Sequence, residues 1–209
     1  MLRRMDDARK VRDFWFGKTP LSPEQLPRRM KLWFGDVAED TRRQVDDALR
    51  LRFAPLVERA LEGALAQWAD GPRRRLSLIL LLDQFPRNIY RDTPKAFAGD
   101  EQALQLSLTG MQSVADAALN TVERIFFYMP LQHAESLEVQ EESVAAYRRL
   151  LGEAPAEVRE VFQGCVTYAE QHRDVIRRFG RFPERNAALG RATTPEEQEW
   201  LRSPQSPGG

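Results

Sequence analysis

The sequence predicts an all-α protein, with a single domain of roughly eight to ten helices in antiparallel pairs. In most segments apolar residues recur with the spacing of an amphipathic helix, and no segment shows the alternation typical of a strand. Short turns containing glycine or proline separate these segments, as they do between antiparallel helices. A helix near Leu76–Phe85, apolar on all sides, is expected at the centre of the domain.

The composition supports one folded domain with a sizeable core. The chain has 209 residues, of which 42% are apolar and 30% are charged. Lysine plus arginine equals aspartate plus glutamate, 31 each, so there is no overall attraction to nucleic acid or anionic membranes. We predict a helical domain over residues 1–201 and a disordered tail over residues 202–209.

The first residues and the single cysteine indicate a reducing compartment. The start, MLRRMDDARK, lacks the apolar run of a signal peptide, and no stretch reaches the roughly 18 apolar residues of a membrane span. Cys165 has no partner for a disulfide. We predict a cytoplasmic protein that does not bind membranes, and the sequence leaves its oligomeric state open.

The N-terminal third is expected to form three helices. Val11 and Trp15 share a face of the first helix, which Gly17 ends. A short helix is predicted within Ser22–Gly35. Thr41 is a candidate N-cap for the third helix, which Pro55 should kink or split. The expected bounds of four later helices are Asp100–Gly110, Val122–Met129, Leu137–Leu151 and Pro155–Phe179.

Three details mark the ends of the later helices. Asp100 is expected to cap the first of them, and Pro130 to stop the run that ends at Met129. Near the C-terminus, Thr194 and Glu197 have the spacing of a capping box, in which each side chain binds the backbone N–H of the other residue.

The central segment reads LSLILLLDQFPRNIYR. Leu76 to Leu82 are apolar except for Ser77, and Asp83 follows directly. Burying a carboxylate costs several kcal/mol unless a cation or good hydrogen-bond donors meet it. We therefore predict that Asp83 is buried and held by at least one arginine.

Three segments mix polar and apolar residues beyond what a helical bundle requires: Asp83–Arg91, Glu123–Gln140 and His172–Asn186. They also resemble a known family, the bacterial domain of unknown function 924, which is placed in the tetratricopeptide-like helical superfamily. The resemblance rests on LLLDQFPRNIYRDTPKAFAGD, FFYMPLQHAESLEVQ and HRDVIRRFGRFPERNAALGRATTPEE, and it covers Val11 to about Leu201. It implies an all-helical fold and no established activity.

The chain departs from the family pattern at positions that bear on any proposed site. Glu184 stands where the family usually has histidine after FGRFP, and Ala134 and Ser136 stand where it has serine and aspartate. Any hypothesis that depends on those family side chains is weakened here.

Three residues are candidate catalytic groups: Asp83, His133 and His172. Asp83 is either a structural partner of an arginine, or a general base or ligand contact. His133 follows Pro130 in a turn, where it makes a capping contact or acts as an acid–base group near neutral pH. His172 falls on the apolar face of its helix, which favours a satisfied core histidine over a ligand contact.

A set of arginines and tyrosines is the candidate ligand site. These residues are expected to converge on a cleft, with Phe182 as a further wall, and they are Arg87, Arg124, Arg173, Arg178, Arg181, Tyr90 and Tyr128. Arginine forks bind carboxylate or phosphate groups. The alternative is a structural lattice of ion pairs with Asp83, Glu123, Asp174 and Glu184.

Motifs for metals, cofactors and nucleic acids are absent from the sequence. His133 and His172 lack the spacing of metal ligands, and we predict neither a metal nor a cofactor.

Two function classes remain. The preferred one is a helical interaction or ligand-binding module whose Arg-rich cleft takes an anionic small molecule or an acidic peptide. The alternative is a small enzyme that uses Asp83 or His133 for acid–base chemistry.

Overall fold

The computed structural model describes residues 2–17, 21–34 and 37–203, and this part of the chain is helical without a strand. The α-helices are α1 (Leu2–Phe16), α2 (Leu26–Trp33), α3 (Glu39–Leu61), α4 (Pro72–Ile79), α5 (Phe85–Ile89), α6 (Asp100–Gln112), α7 (Thr121–Gln132), α8 (Leu137–Glu153), α9 (Arg159–Phe179) and α10 (Pro195–Leu201). A π-helical segment, Leu80–Gln84, joins α4 to α5. The all-α prediction is confirmed.

The central helix consists of α4, the π segment and α5, and it contains the buried run seen in the sequence. Every residue from Leu76 to Pro86 is buried, so the prediction of a helix buried on all sides is confirmed. The N–H of Phe85 bonds to the carbonyl of Leu80, five residues earlier, which is the hydrogen bond of a π-helix. Pro86 has no N–H, so the Leu82 carbonyl lacks the donor that an α-helix would place four residues later.

A glycine allows the loop before α6 to approach this irregular turn. A Cβ added to Gly99 would lie 2.3 Å from the Leu82 carbonyl oxygen, closer than any side chain can sit. Because Gly99 has no side chain, the start of α6, with Asp100, can pack against the π segment. The structure places Asp100 as the first helical residue and Gly99 at the N-cap, one position from the predicted cap.

One continuous core joins helices α1 to α9. It includes Val11 on α1, Val57 on α3, Phe126 on α7 and Phe162 on α9. A second small core of Val175, Ile176 and Phe182 packs against α10 through Trp200. α7, α8 and α9 pack successively against one another, and residues 133–136 between α7 and α8 are too few for anything but an antiparallel turn.

Two prolines lie within helices that were predicted to stop or kink there. Pro130 is inside α7, which continues to Gln132, and Pro55 is inside the unbroken α3. A proline removes one backbone hydrogen bond. In both helices the apolar residues around the proline pack in the core, and this burial outweighs the loss of one bond.

The described residues contain no helix that is long and apolar enough to cross a membrane. At the C-terminus, Ser203 is the last described residue, and its hydroxyl donates to the carbonyl of Trp200. Most of the predicted tail, residues 202–209, therefore lies outside the described residues.

Thr194→Ala is expected to destabilise α10 by about 1 kcal/mol. The predicted capping box is confirmed: the Glu197 N–H donates to Thr194 Oγ1 at 3.2 Å, and the Thr194 N–H donates to Glu197 Oε2 at 2.8 Å. Hydrogen exchange should show faster exchange from Glu197 to Leu201.

Thr41→Ala is the matched control for this prediction. Thr41 was the predicted cap of α3, but that helix begins two residues earlier, with Ala38 at its N-cap. Thr41 lies exposed in the first turn, so its replacement should leave exchange unchanged. Equal exchange rates for wild-type and Thr194→Ala protein in α10 would contradict the role of the cap.

Candidate functional site

Asp83 lies at the centre of the candidate site, in the π segment. Its side chain is 0% exposed. Oδ1 lies 2.6 Å from Nδ1 of His133 and 3.1 Å from Nη1 of Arg87. Oδ2 accepts a hydrogen bond of 2.6 Å from Nε2 of Gln84. The prediction that Asp83 is buried and held by an arginine is confirmed, and His133 and Gln84 are additional partners.

These partners keep Asp83 ionised. Burial alone would raise the pKa of the Asp83 carboxyl, but His133, Arg87 and Gln84 outweigh burial and lower the pKa well below its usual range. The carboxylate has no proton to give, so it accepts at both oxygens. The Nδ1 atom of His133 is therefore the donor in their hydrogen bond.

His133 is the C-cap residue of α7, and its imidazole is 14% exposed. Burial and the charge of Arg87 lower the pKa of His133, against the opposing effect of Asp83, so the ring is neutral at pH 7. With the proton fixed on Nδ1 by Asp83, Nε2 carries the free lone pair. Within the described residues nothing bonds to Nε2.

Two arginines share a second carboxylate beside this pair. Arg87 binds Asp100 with both Nη atoms, at 2.8 and 2.9 Å, and Arg185 donates to the same carboxylate at 3.2 Å. Nη2 of Arg185 also donates to the carbonyl of His133 at 3.0 Å. Arg185 thus fixes the backbone that carries the imidazole, and Arg87 donates to the backbone carbonyl of Asp83 at 2.7 Å. Asp83 and Asp100 balance the charges of the two arginines.

Two aromatic rings and His172 form the adjoining wall. The Arg185 guanidinium lies 4.5 Å from the ring centroid of Phe182 and 5.0 Å from that of Phe97. His172 contacts Phe182 at 5.5 Å between ring centroids. Nδ1 of His172 lies 2.8 Å from the Tyr168 carbonyl oxygen, so this ring also carries its proton on Nδ1.

His172 is partly buried, and its surroundings disfavour the charged ring. Burial, together with the nearby His133, Arg185 and Arg87, lowers the pKa of His172 to about 4, against the opposing effect of the Tyr168 carbonyl. The predicted apolar face is correct for Cys165 and Ile176, which are buried, but Tyr168 is 49% exposed. The ring of Tyr168 instead stacks on Phe34, with 6.2 Å between ring centroids.

The segment after α9 is tied to the turn between α7 and α8. Glu135 Oε1 accepts from the Phe182 N–H at 2.9 Å and from Arg191 at 2.8 Å. Glu184 follows Phe182, and burial raises the pKa of its carboxyl. Its Oε2 is buried without a hydrogen-bond partner among the described residues.

The other predicted ligand residues do not converge with Arg87. Arg124 binds Glu153 at 2.7 Å, and Arg178 binds Glu196 at 2.9 Å. Arg181 binds Glu197 through two contacts of 2.6 and 2.9 Å. Arg173 binds Asp174 at 2.9 Å and lies 3.8 Å from Glu141. These are structural ion pairs, as the alternative expected, but of the partners it named only Asp174 here and Asp83 beside Arg87 take part. No Arg-rich cleft shared by these residues is seen in the described part of the chain.

The two tyrosines bind carboxylates elsewhere. The Tyr128 hydroxyl donates to Asp116 at 2.5 Å, and the Tyr90 hydroxyl donates to Glu58. Buried or half-buried tyrosine rings pack in the core and turn their hydroxyls to the nearest acceptor. For Tyr128 and Tyr90 that acceptor is a carboxylate away from His133. Whether any residue of this set contacts a ligand stays a prediction.

Sequence reasoning missed two parts of the site, Asp100 and Arg185. Asp100 was assigned to a helix cap, and Arg185 was one of several arginines in a charged segment. The signal available was the glycine before Asp100, which permits a close approach.

No group of three or more histidine, cysteine, aspartate or glutamate side chains placed to hold a metal ion occurs in the described ranges.

The neutral state of His172 predicts a pH dependence of stability. Its folded pKa of about 4 lies below the ordinary value of 6.5. Between these values the unfolded chain binds a proton that the folded protein does not, so stability falls as the pH is lowered from 6.5 to about 4. Urea titrations of His172→Gln should show a shallower loss than wild type over this range. Identical slopes would contradict the assignment.

Comparison with known proteins shows the family to which the chain belongs. The model of a family described as bacterial protein of unknown function (DUF924) matches residues 11–205. A solved structure of a protein of unknown function from Agrobacterium tumefaciens is similar, with 32% identity and a TM-score of 0.76, over 95% of this chain and 98% of that one. No match was found among curated proteins. The chain belongs to the DUF924 family.

Proposed function

We propose that the protein is a small enzyme in which His133 is a general base and Asp83 is its positioning residue. The observation that carries this proposal is the 2.6 Å contact between Asp83 and Nδ1 of His133, which leaves Nε2 unpartnered on a ring that is 14% exposed. A neutral imidazole oriented by a carboxylate is a common arrangement for proton transfer near pH 7.

The chemistry follows from the charges around the ring. Nε2 takes a proton from a water molecule or a substrate hydroxyl, and the resulting imidazolium is stabilised by the Asp83 carboxylate. The proton then returns from Nε2 to the leaving group or product. Asp83 stays ionised throughout, because Arg87 and Gln84 hold its negative charge.

The site supplies a base but no separate nucleophile. Cys165 is buried, and burial raises the pKa of its thiol to about 12, so it stays protonated. Ser136, which follows Glu135 in the turn, is exposed, and no hydrogen bond links it to either imidazole ring. Direct attack by activated water or by a substrate hydroxyl therefore fits the site better than a covalent intermediate.

The π segment supports the assignment from the backbone side. Such segments are rare, interrupt the regular hydrogen bonding of an α-helix, and occur frequently at functional sites. Here the π turn contains both Asp83 and Gln84, and the side chain of Gln84 binds the carboxylate of Asp83. The irregular turn thus positions Asp83, which orients His133, and Gln84, which holds Asp83.

The test is a substrate screen with three variants. Wild-type protein is incubated with a mixture of metabolites of defined composition, and their consumption is followed by mass spectrometry. For a compound that is turned over, His133→Gln should lower kcat by about 10²- to 10⁴-fold. Asp83→Asn should also lower kcat, and Asp174→Asn, a matched surface change, should not. Turnover at the wild-type rate by His133→Gln, or no turnover of any compound, would contradict the proposal.

A further inference from the structure

A separate recess lies between α1, α2, α3 and α5, away from His133. Its volume is about 150 Å³, and its walls include Phe14, Trp15, Trp33 and Val45. Trp15 and Trp33 stack with 6.4 Å between ring centroids and 19° between ring planes. A cavity of this volume with apolar walls has room for about one benzene ring.

One residue that lines the recess also carries a hydrogen-bond donor without a partner among the described residues. Trp15 is 4% exposed, and its indole Nε1 has no hydrogen-bond partner in the described residues. An unsatisfied buried donor destabilises the folded protein, so native proteins rarely keep one without a reason. Trp33, by contrast, donates its indole N–H to the Trp15 carbonyl at 3.0 Å.

Arg29 supplies a positive charge at the same recess. Burial and the neighbouring Arg28 lower the pKa of Arg29, yet no carboxylate of the described residues pairs with its guanidinium. Gly17 permits this position, because a Cβ there would lie 2.5 Å from Nη2 of Arg29. Arg29 therefore differs from Arg87, Arg124 and Arg181, each of which binds a carboxylate.

We propose that this recess binds a small aromatic monocarboxylate. The ring lies between the aromatic walls, and the carboxylate accepts from the Arg29 guanidinium and the Trp15 indole N–H. A guanidinium without a carboxylate partner beside an unused N–H donor favours an anion over a neutral ligand, and a guanidinium fork matches a carboxylate. Apolar walls and a volume near that of one ring disfavour a phosphate or a peptide.

The recess is distinct from the proposed catalytic centre, but a chain of hydrogen bonds connects the two. Asn88, which also lines the recess, donates to the Gln84 carbonyl at 2.8 Å, and Gln84 holds Asp83. Binding in the recess requires no catalytic role of His133, so the two proposals fail or succeed separately.

The experiment uses benzoate as the probe and benzamide as its neutral control. Titration of wild-type protein, followed by NMR of the tryptophan indole N–H groups, should shift the Trp15 signal with benzoate, while that of Trp68, which does not line the recess, stays unchanged. Benzoate should bind at least about tenfold more tightly than benzamide, because a charge-assisted hydrogen bond is lost with the amide.

Two matched variants complete the test. Arg29→Gln should weaken benzoate binding by about tenfold or more, whereas Arg28→Gln, at the exposed neighbouring position, should bind as wild type does. The proposal is overturned if about 10 mM benzoate leaves the Trp15 signal of wild type unmoved. Equal affinity for benzamide, or an equal loss in Arg28→Gln, would overturn it as well.

Discussion

Asp83→Asn is expected to lower the free energy of unfolding by about 3–5 kcal/mol, because the change leaves buried positive charge without its counter-charge. Arg87 and Arg185 would then share Asp100 alone. The amide NH₂ of asparagine would also face either Nδ1 of His133 or Nε2 of Gln84, and both of these groups are donors. Urea titration with linear extrapolation measures the loss.

Asp174→Asn is the matched control for that measurement. Asp174 pairs with Arg173 and Arg177 on the surface of α9, where its side chain is 57% exposed. Exposed pairs contribute about 0–1 kcal/mol, so this variant should unfold near the wild-type midpoint. If Asp83→Asn also loses less than about 1 kcal/mol, the buried pair does not stabilise the fold as described.

Leu80→Ala is expected to cost about 2–5 kcal/mol through lost burial and the cavity left behind. Leu80 is 0% exposed and begins the π segment, so few neighbouring groups can move to fill the space. The change in the urea midpoint at constant slope gives the magnitude.

Leu51→Ala makes the same chemical change on the surface. Leu51 is 85% exposed on α3, and its replacement should alter stability by less than about 0.5 kcal/mol. A Leu80→Ala loss as small as that of Leu51→Ala would show that the central helix is not the buried element on which the site is built.

The sequence predicted the central features because they depend on local pattern. A run apolar on all sides has to be buried, and a carboxylate directly after it has to be buried with it, so Leu76–Leu82 and Asp83 were predictable together. The capping box at Thr194 was equally local. Glycine marked the end of the first helix at Gly17 for the same reason.

The remaining features depend on contacts between distant parts of the chain. His133 is 50 positions from Asp83, and no spacing rule joins them. The arginines were predicted to converge, but each long side chain binds the nearest carboxylate, such as Glu153 for Arg124. Pro130 was expected to end its helix and Pro55 to kink or split its own, but neither helix is broken, because burial on both sides of a proline outweighs one missing hydrogen bond.

The most direct test of the Asp83–His133 pair is the tautomer of His133. The chain has two histidines, so ¹⁵N NMR can report the protonation of each imidazole ring separately. His172→Gln assigns the signals. At pH 7 we expect a protonated Nδ1 and an unprotonated Nε2 in His133. A proton on Nε2, or a doubly protonated ring, would contradict the proposed base.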